Sequence, residues 1–214
     1  MVDRYHRWRE RKLAERCAQN LKRNGFDVHI ATSPESGIRE ILGMISDFET
    51  FGFGGSETLR QMGLIEELRG MGKTIFDHWQ PELSPDEVHA VRLEQGRCDC
   101  FLCSANAVSE NGEIINVDGI GNRVAAMTYG PRKVVVVVGV NKIASDLDQA
   151  LQRVRRIAAP MRAKSLGMST PCAETGECVD CNSPQRICRI TTILHRRPML
   201  TDISVVLVCA DLGY

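Results

Sequence analysis

The sequence has no surplus of either charge. In 214 residues, 27 Lys and Arg stand against 27 Asp and Glu, so no overall field is present to hold a nucleic-acid backbone. No apolar run approaches the roughly 20 residues that a membrane helix needs. The N-terminal stretch is basic but lacks the apolar segment of a secretion signal. These absences speak against nucleic acid and membrane as partners and lead us to expect a cytoplasmic protein. The G-x-G-x-x-G pattern is missing too: Gly119 and Gly121 do not form it, which leaves no nicotinamide (NAD) or flavin fingerprint. Cysteine, by contrast, is plentiful. There are nine, an odd number, and without a secretion signal clustered cysteines point to metal or redox chemistry before disulfides.

The length suits one α/β domain spanning 1–214 with a sizeable core. Leu13, Cys17 and Leu21 recur every four residues in a predicted helix over 3–24, whose arginines read as its solvated side. A strand over 26–31 follows, then a helix opened by Ser33-Pro34. The strand over 50–53 runs into Gly54-Gly55-Ser56, and Leu59, Met62, Ile65 and Leu68 mark one helix beyond it. Residues 74–77 predict a strand, and Ser84 with Glu87 has the spacing of a capping box. His78, just past that strand, is a site candidate, although a His beside Trp79 also reads as packing. Residues 145–158 predict a helix, 160–171 a loop, and 190–194 and 203–209 two closing strands. Strand alternating with helix argues for α/β.

The stretch from 99 to 142 organises the rest. It begins with a strand over 100–103, a turn at Glu110-Asn111-Gly112 and a second strand over 113–117. It ends on five consecutive valines, Val134–Val138, β-branched and apolar on both faces. Such a run suits a central parallel strand covered by helices, and open α/β sheets bind ligands outside the carboxyl ends of their strands. The polar loops at that end are therefore the candidate site. Gly54, Gly55 and Ser56 put glycines and a hydroxyl at a helix start, where backbone N–H groups are free; the same letters also make a capped turn. Asp118, Gly119, Gly121, Asn122 and Arg123 form a glycine-broken loop before a predicted helix over 124–129. There Arg123 offers a fork for carboxylate or phosphate, and Asn122 offers a helix cap. Asn141 and Lys142 follow the valines, and Lys142 is a second cation. Together they predict a pocket for a small anion, with lactate, a phosphosugar or CoA equally acceptable.

Cys172, Cys178, Cys181 and Cys188 are spaced C-x5-C-x2-C-x6-C between turn residues, within a segment over 171–189. Four thiolates suit zinc or an iron–sulfur cluster. Free thiols, regulatory disulfides and adventitious metal compete with that reading. Arg186 and Arg189 flank Cys188 and would favour the thiolate. Cys17, Cys98, Cys100, Cys103 and Cys209 fall at apolar positions and read as core.

GEIINVDGIGNRVAAMTYGPRKVVVVVGVNKI, with Phe53-Gly54-Gly55-Ser56-Glu57-Thr58 and TPCAETGECVDC, resembles the LUD (lactate utilisation) domain family, LutC-type members included. The resemblance implies a NagB/RpiA/CoA transferase-like fold: a Rossmann-like three-layer sandwich with a mostly parallel sheet, here carrying a C-terminal cysteine-rich loop. It further implies a part in oxidising lactate or another 2-hydroxy acid, as a subunit or accessory with iron–sulfur or flavin partner subunits. That role favours a [4Fe–4S] cluster over zinc on the four cysteines. Ser109-Glu110-Asn111-Gly112 also matches the turn that carries the nucleophilic glutamate of class I CoA transferases, which makes Glu110 a catalytic candidate. Asn-Gly is equally a hairpin turn, with Glu110 then merely exposed. A sugar-phosphate-type enzyme and a non-catalytic binding protein with a structural metal are the further alternatives.

Overall fold

The computed structural model describes residues 2–214, so of the expected domain only Met1 lies outside. The chain opens α1 (Val2–Arg23), β1 (Asp27–Ala31), α2 (Pro34–Met44) and β2 (Thr50–Phe53). It continues through α3 (Glu57–Met62), α4 (Leu64–Gly70), β3 (Thr74–Asp77) and α5 (Pro85–Gln95). Next come β4 (Cys100–Ser104), β5 (Ala107–Ser109), β6 (Ile114–Asp118), α6 (Asn122–Thr128) and β7 (Lys133–Gly139). The rest is β8 (Ile143–Ala144), α7 (Leu147–Arg153), α8 (Ala159–Ser165), α9 (Pro171–Thr175), β9 (Ile190–Leu194) and β10 (Asp202–Val208).

Six strands form an all-parallel sheet in the order β1-β10-β7-β4-β2-β3. The valine run lies mid-sheet in β7, every one of its five side chains fully buried. Their alternation feeds both faces. Val134, Val136 and Val138 pack with Cys17 and Leu21 of α1 and Met127 of α6. Val135 and Val137 pack with Ile41 of α2, Leu59 of α3 and Ile65 of α4 on the other side. Each such valine contributes about 1.5–3 kcal/mol of burial, and the three-layer sandwich follows from it.

A second sheet, β8-β5-β6-β9, was not legible in the sequence. Neighbouring strands β4 and β7 leave the large sheet side by side, and their continuations β5 and β8 pair again in parallel. The hairpin around Asn111-Gly112 therefore joins β5 to β6, rather than the strand over 100–103 to its successor. Two helix assignments also change. The expected single helix past Ser56 breaks at Gly63, whose φ of 74° suits glycine and ends α3. The expected loop over 160–171 is helical as far as Ser165, because a π-turn over 154–158 carries α7 directly into α8.

Candidate functional site

The carboxyl ends of β2, β4 and β7 open onto a cavity of about 450 Å³, a size suited to a small molecule. Its polar wall comes from several chain segments. Ser56 caps α3 by accepting from the Leu59 amide at 3.3 Å, the ordinary role of an N-cap serine, and also lines the cavity. Gly55 lies against Trp79: a Cβ there would sit 2.6 Å from the indole Nε1. Trp79 in turn carries Arg162, whose guanidinium carbon is 4.9 Å from the ring centroid.

Lys142, just past the valines, is only 4% exposed. Its Nζ donates to Thr58 Oγ1 at 2.8 Å and to Ser104 Oγ at 3.0 Å, and no carboxylate among the described residues touches it. Burial, then the charges of Arg153 and Arg123, pull its pKa down to about 7. The segment after β10 covers this amine. Asn141 holds it by accepting from the Leu212 amide at 3.1 Å and donating to the Gly213 carbonyl.

Arg123 is already spoken for. Its Nε and Nη2 bond Asp118 Oδ1 at 2.8 and 2.6 Å, and Nη2 also reaches Asn106 Oδ1 and the Val117 carbonyl. The other Asp118 oxygen accepts the Val124 amide at the start of α6. Arg123 is thus a clamp that shapes the cavity wall more than a free fork. Asn122 does not cap α6; Gly121 holds that position, and Asn122 Nδ2 donates to Gln95 Oε1 at 3.2 Å.

Of the residues singled out in the sequence, Gly55, Ser56, Asp118, Gly119, Asn122, Arg123, Lys142 and His78 share this cavity. Gly54 stands behind it, where a Cβ would meet the Arg123 chain at 3.4 Å. Gly121 and Asn141 shape the backbone without lining it. Glu110 is elsewhere: it sits on the β5–β6 turn, paired with Arg16 at 3.0 Å, while Asn20 donates to its carbonyl. It is not among the lining residues.

Two cations escaped the sequence reading. Arg92 and Arg162 sit on helices, where arginine usually means a solvated face, yet both line the cavity. Arg92 makes no hydrogen bond or ion pair among the described residues, and its Nε is buried without a partner. His78 shares the wall. Its Nδ1 lies 2.9 Å from Gln95 Nε2, which also donates to the Phe53 and Phe76 carbonyls. Burial first, then Arg92, pulls its pKa to about 4.

The four cysteines of the 171–189 segment are not gathered. Cys188 lines the main cavity, whereas Cys178 is exposed in a separate hollow beside Arg155 and Arg156. The Cys172 sulfur lies 3.4 Å from Thr170 Oγ1. Among the described residues no three His, Cys, Asp or Glu side chains converge at metal-binding distance. In this arrangement the donors fit neither a four-thiolate cluster nor a zinc site. Arg186 holds backbone instead, donating to the Cys181 and Cys188 carbonyls. Cys17, Cys98, Cys100 and Cys103 are buried in the core, and Cys209 is half-buried.

A family model for the LUD domain matches residues 14–208. The chain belongs to the LUD-domain family. A solved structure of a DUF162 family protein from Deinococcus radiodurans is similar in fold. It is 14% identical with a TM-score of 0.56, over 93% of this chain and 98% of that one. No curated protein matches the sequence. Among the described residues of this LUD-domain protein, no helix is long and apolar enough to cross a membrane.

Proposed function

We propose that this LUD-domain protein holds a small organic anion at the carboxyl ends of β2, β4 and β7. Lactate or a similar 2-hydroxy acid is the ligand class that the family's link to lactate utilisation favours. The protein then serves as subunit or accessory of an oxidising complex whose flavin or iron–sulfur partner subunits take the electrons.

Arg92 carries this reading: a guanidinium with a buried, unpartnered Nε beside a cavity that also holds Arg162 and Lys142. A buried donor left unpaired costs about 1–3 kcal/mol, which a carboxylate or phosphate oxygen would remove. The two side-chain carboxylates of the lining each have an arginine partner: Asp118 is taken by Arg123, and Glu57 pairs with Arg162 at 4.0 Å, which leaves Arg92 and Lys142 without one among the described residues. A phosphosugar would use the same cations. Acyl transfer through Glu110 has less support, since that carboxylate pairs with Arg16 away from the cavity.

Calorimetric titration with L-lactate, pyruvate and inorganic phosphate tests the proposal. Arg92→Ala should weaken the tightest of them by about 10-fold to 100-fold, the scale of a charge-assisted hydrogen bond. It should leave the free protein no less stable, because the side chain has no partner to lose. Absence of binding by all three at millimolar concentration would sink the proposal.

A further inference from the structure

Lysine side chains are seldom buried without a carboxylate, and Lys142 is buried with two hydroxyls. The hydrogens of those hydroxyls are directed to backbone. Thr58 Oγ1 donates to the Leu212 carbonyl at 3.4 Å, and Ser104 Oγ donates to the Ala105 carbonyl at 3.3 Å. Both oxygens are therefore left as acceptors towards Nζ. An ammonium has three hydrogens to place, and the described residues supply two acceptors. A neutral amine has two hydrogens, and both are accepted, which leaves its lone pair unengaged. Thr58, Ser104 and Lys142 all line the cavity.

From this geometry we infer that Lys142 is a nucleophilic amine that forms an imine with a carbonyl compound carrying a carboxylate or phosphate. The inference rests on the anion reading above: Arg92 and Arg162 would hold the anionic group while the carbonyl carbon meets Nζ. In the step, the lone pair of Nζ attacks that carbon and a C–N bond forms. The C=O π electrons move to oxygen, which takes a proton. The carbinolamine then loses its hydroxyl and a nitrogen proton as water. Amine and carbonyl become imine and water, with no change of oxidation level and no further reagent. Burial together with the Arg153 and Arg123 charges favours the neutral amine that this needs. Thr58 and Ser104 are positioning residues; they fix Nζ and leave the lone pair free.

Borohydride trapping tests it on the intact protein, with pyruvate, dihydroxyacetone phosphate and acetone as separate probes and peptide mapping as the readout. We expect hydride to reduce the imine to a stable secondary amine on Lys142. The anionic probes should label about tenfold faster than acetone, which has no group for the arginines. Inorganic phosphate should slow the labelling, and Lys142→Arg should abolish it. Labelling by pyruvate alone assigns an oxo acid, and labelling by dihydroxyacetone phosphate alone assigns a sugar phosphate. Mapping the wild-type adduct keeps the test independent of whether the variant folds. Adducts confined to other lysines, or none while phosphate still binds, would overturn the imine and leave the anion site standing. Absence of any adduct together with no binding of lactate, pyruvate or phosphate would overturn both.

Discussion

Two stretches of this chain carry the residue types of chemistry, and the fold treats them differently. The loops around the valine strand are brought together by a six-stranded parallel sheet, which desolvates Lys142 and sets it against hydroxyls from the end of β4 and the first turn of α3. The cysteine segment over 171–189 lies outside that frame and is held largely by its own Arg186 and Arg189. Its sulfurs face different surroundings. Composition alone made the second stretch look at least as chemical as the first. What separates them is burial against a rigid sheet, which shifts a pKa and fixes a geometry; an exposed loop does neither.

Breaking the frame around the first stretch should have the largest effect. Arg123→Ala leaves Asp118 buried and unpaired and should cost about 3–5 kcal/mol in urea unfolding. Asp118→Asn should be milder, since it leaves no buried anion. A loss under about 1 kcal/mol for Arg123→Ala would mean the clamp is solvated and the contrast overstated.

Lys142 sharpens the comparison through pH. Its folded pKa, about 7, lies below the ordinary lysine value, so folding favours the neutral amine. The cost of burying it is full below about pH 7 and fades as pH rises towards about 10.5. Lys142→Met should therefore raise the melting temperature most under mildly acidic conditions and least at strongly alkaline pH. A gain that does not vary with pH would count against a charged amine being the cause.

Ser56→Ala removes the cap of α3 and should cost about 1 kcal/mol by thermal unfolding. The smallest effects belong to the second stretch. Cys178→Ser should change stability by less than about 0.5 kcal/mol. A thiol reagent at mildly alkaline pH should modify Cys178 promptly and spare Cys17, Cys98 and Cys103, whose thiols burial pushes up to about 12. Anaerobic protein in which Cys178 resists the reagent and iron and sulfide copurify would show that the segment can close on a cluster.

How much of this was legible in advance follows from where the forces act. The valine run with its buried parallel setting and the capped helix starts at Ser33 and Ser84 rest on local pattern, and sequence displays local pattern directly. Much of the site lay within reach too, because polar loops at the ends of buried parallel strands can lead to only one end of the sheet. The π-turn after Arg153 and the second sheet escaped, since both depend on how β4 and β7 exit together. Arg92 and Arg162 escaped for a related reason. A helical arginine looks solvated until the facing element is known, and here Trp79 and the strand ends supply that element. The cysteine spacing states which sulfurs are near in sequence and not where the backbone turns them, and in this arrangement the four do not converge among the described residues.

The sheet holds a desolvated amine beside cations awaiting an anion. Selective ¹³Cε labelling of lysine, with the Lys142 signal assigned by Lys142→Arg, measures it directly by NMR titration. The Lys142 midpoint is expected near 7 and should rise when inorganic phosphate is added, because a bound anion favours the ammonium. A midpoint at the ordinary value of about 10.4, unmoved by phosphate, would contradict it.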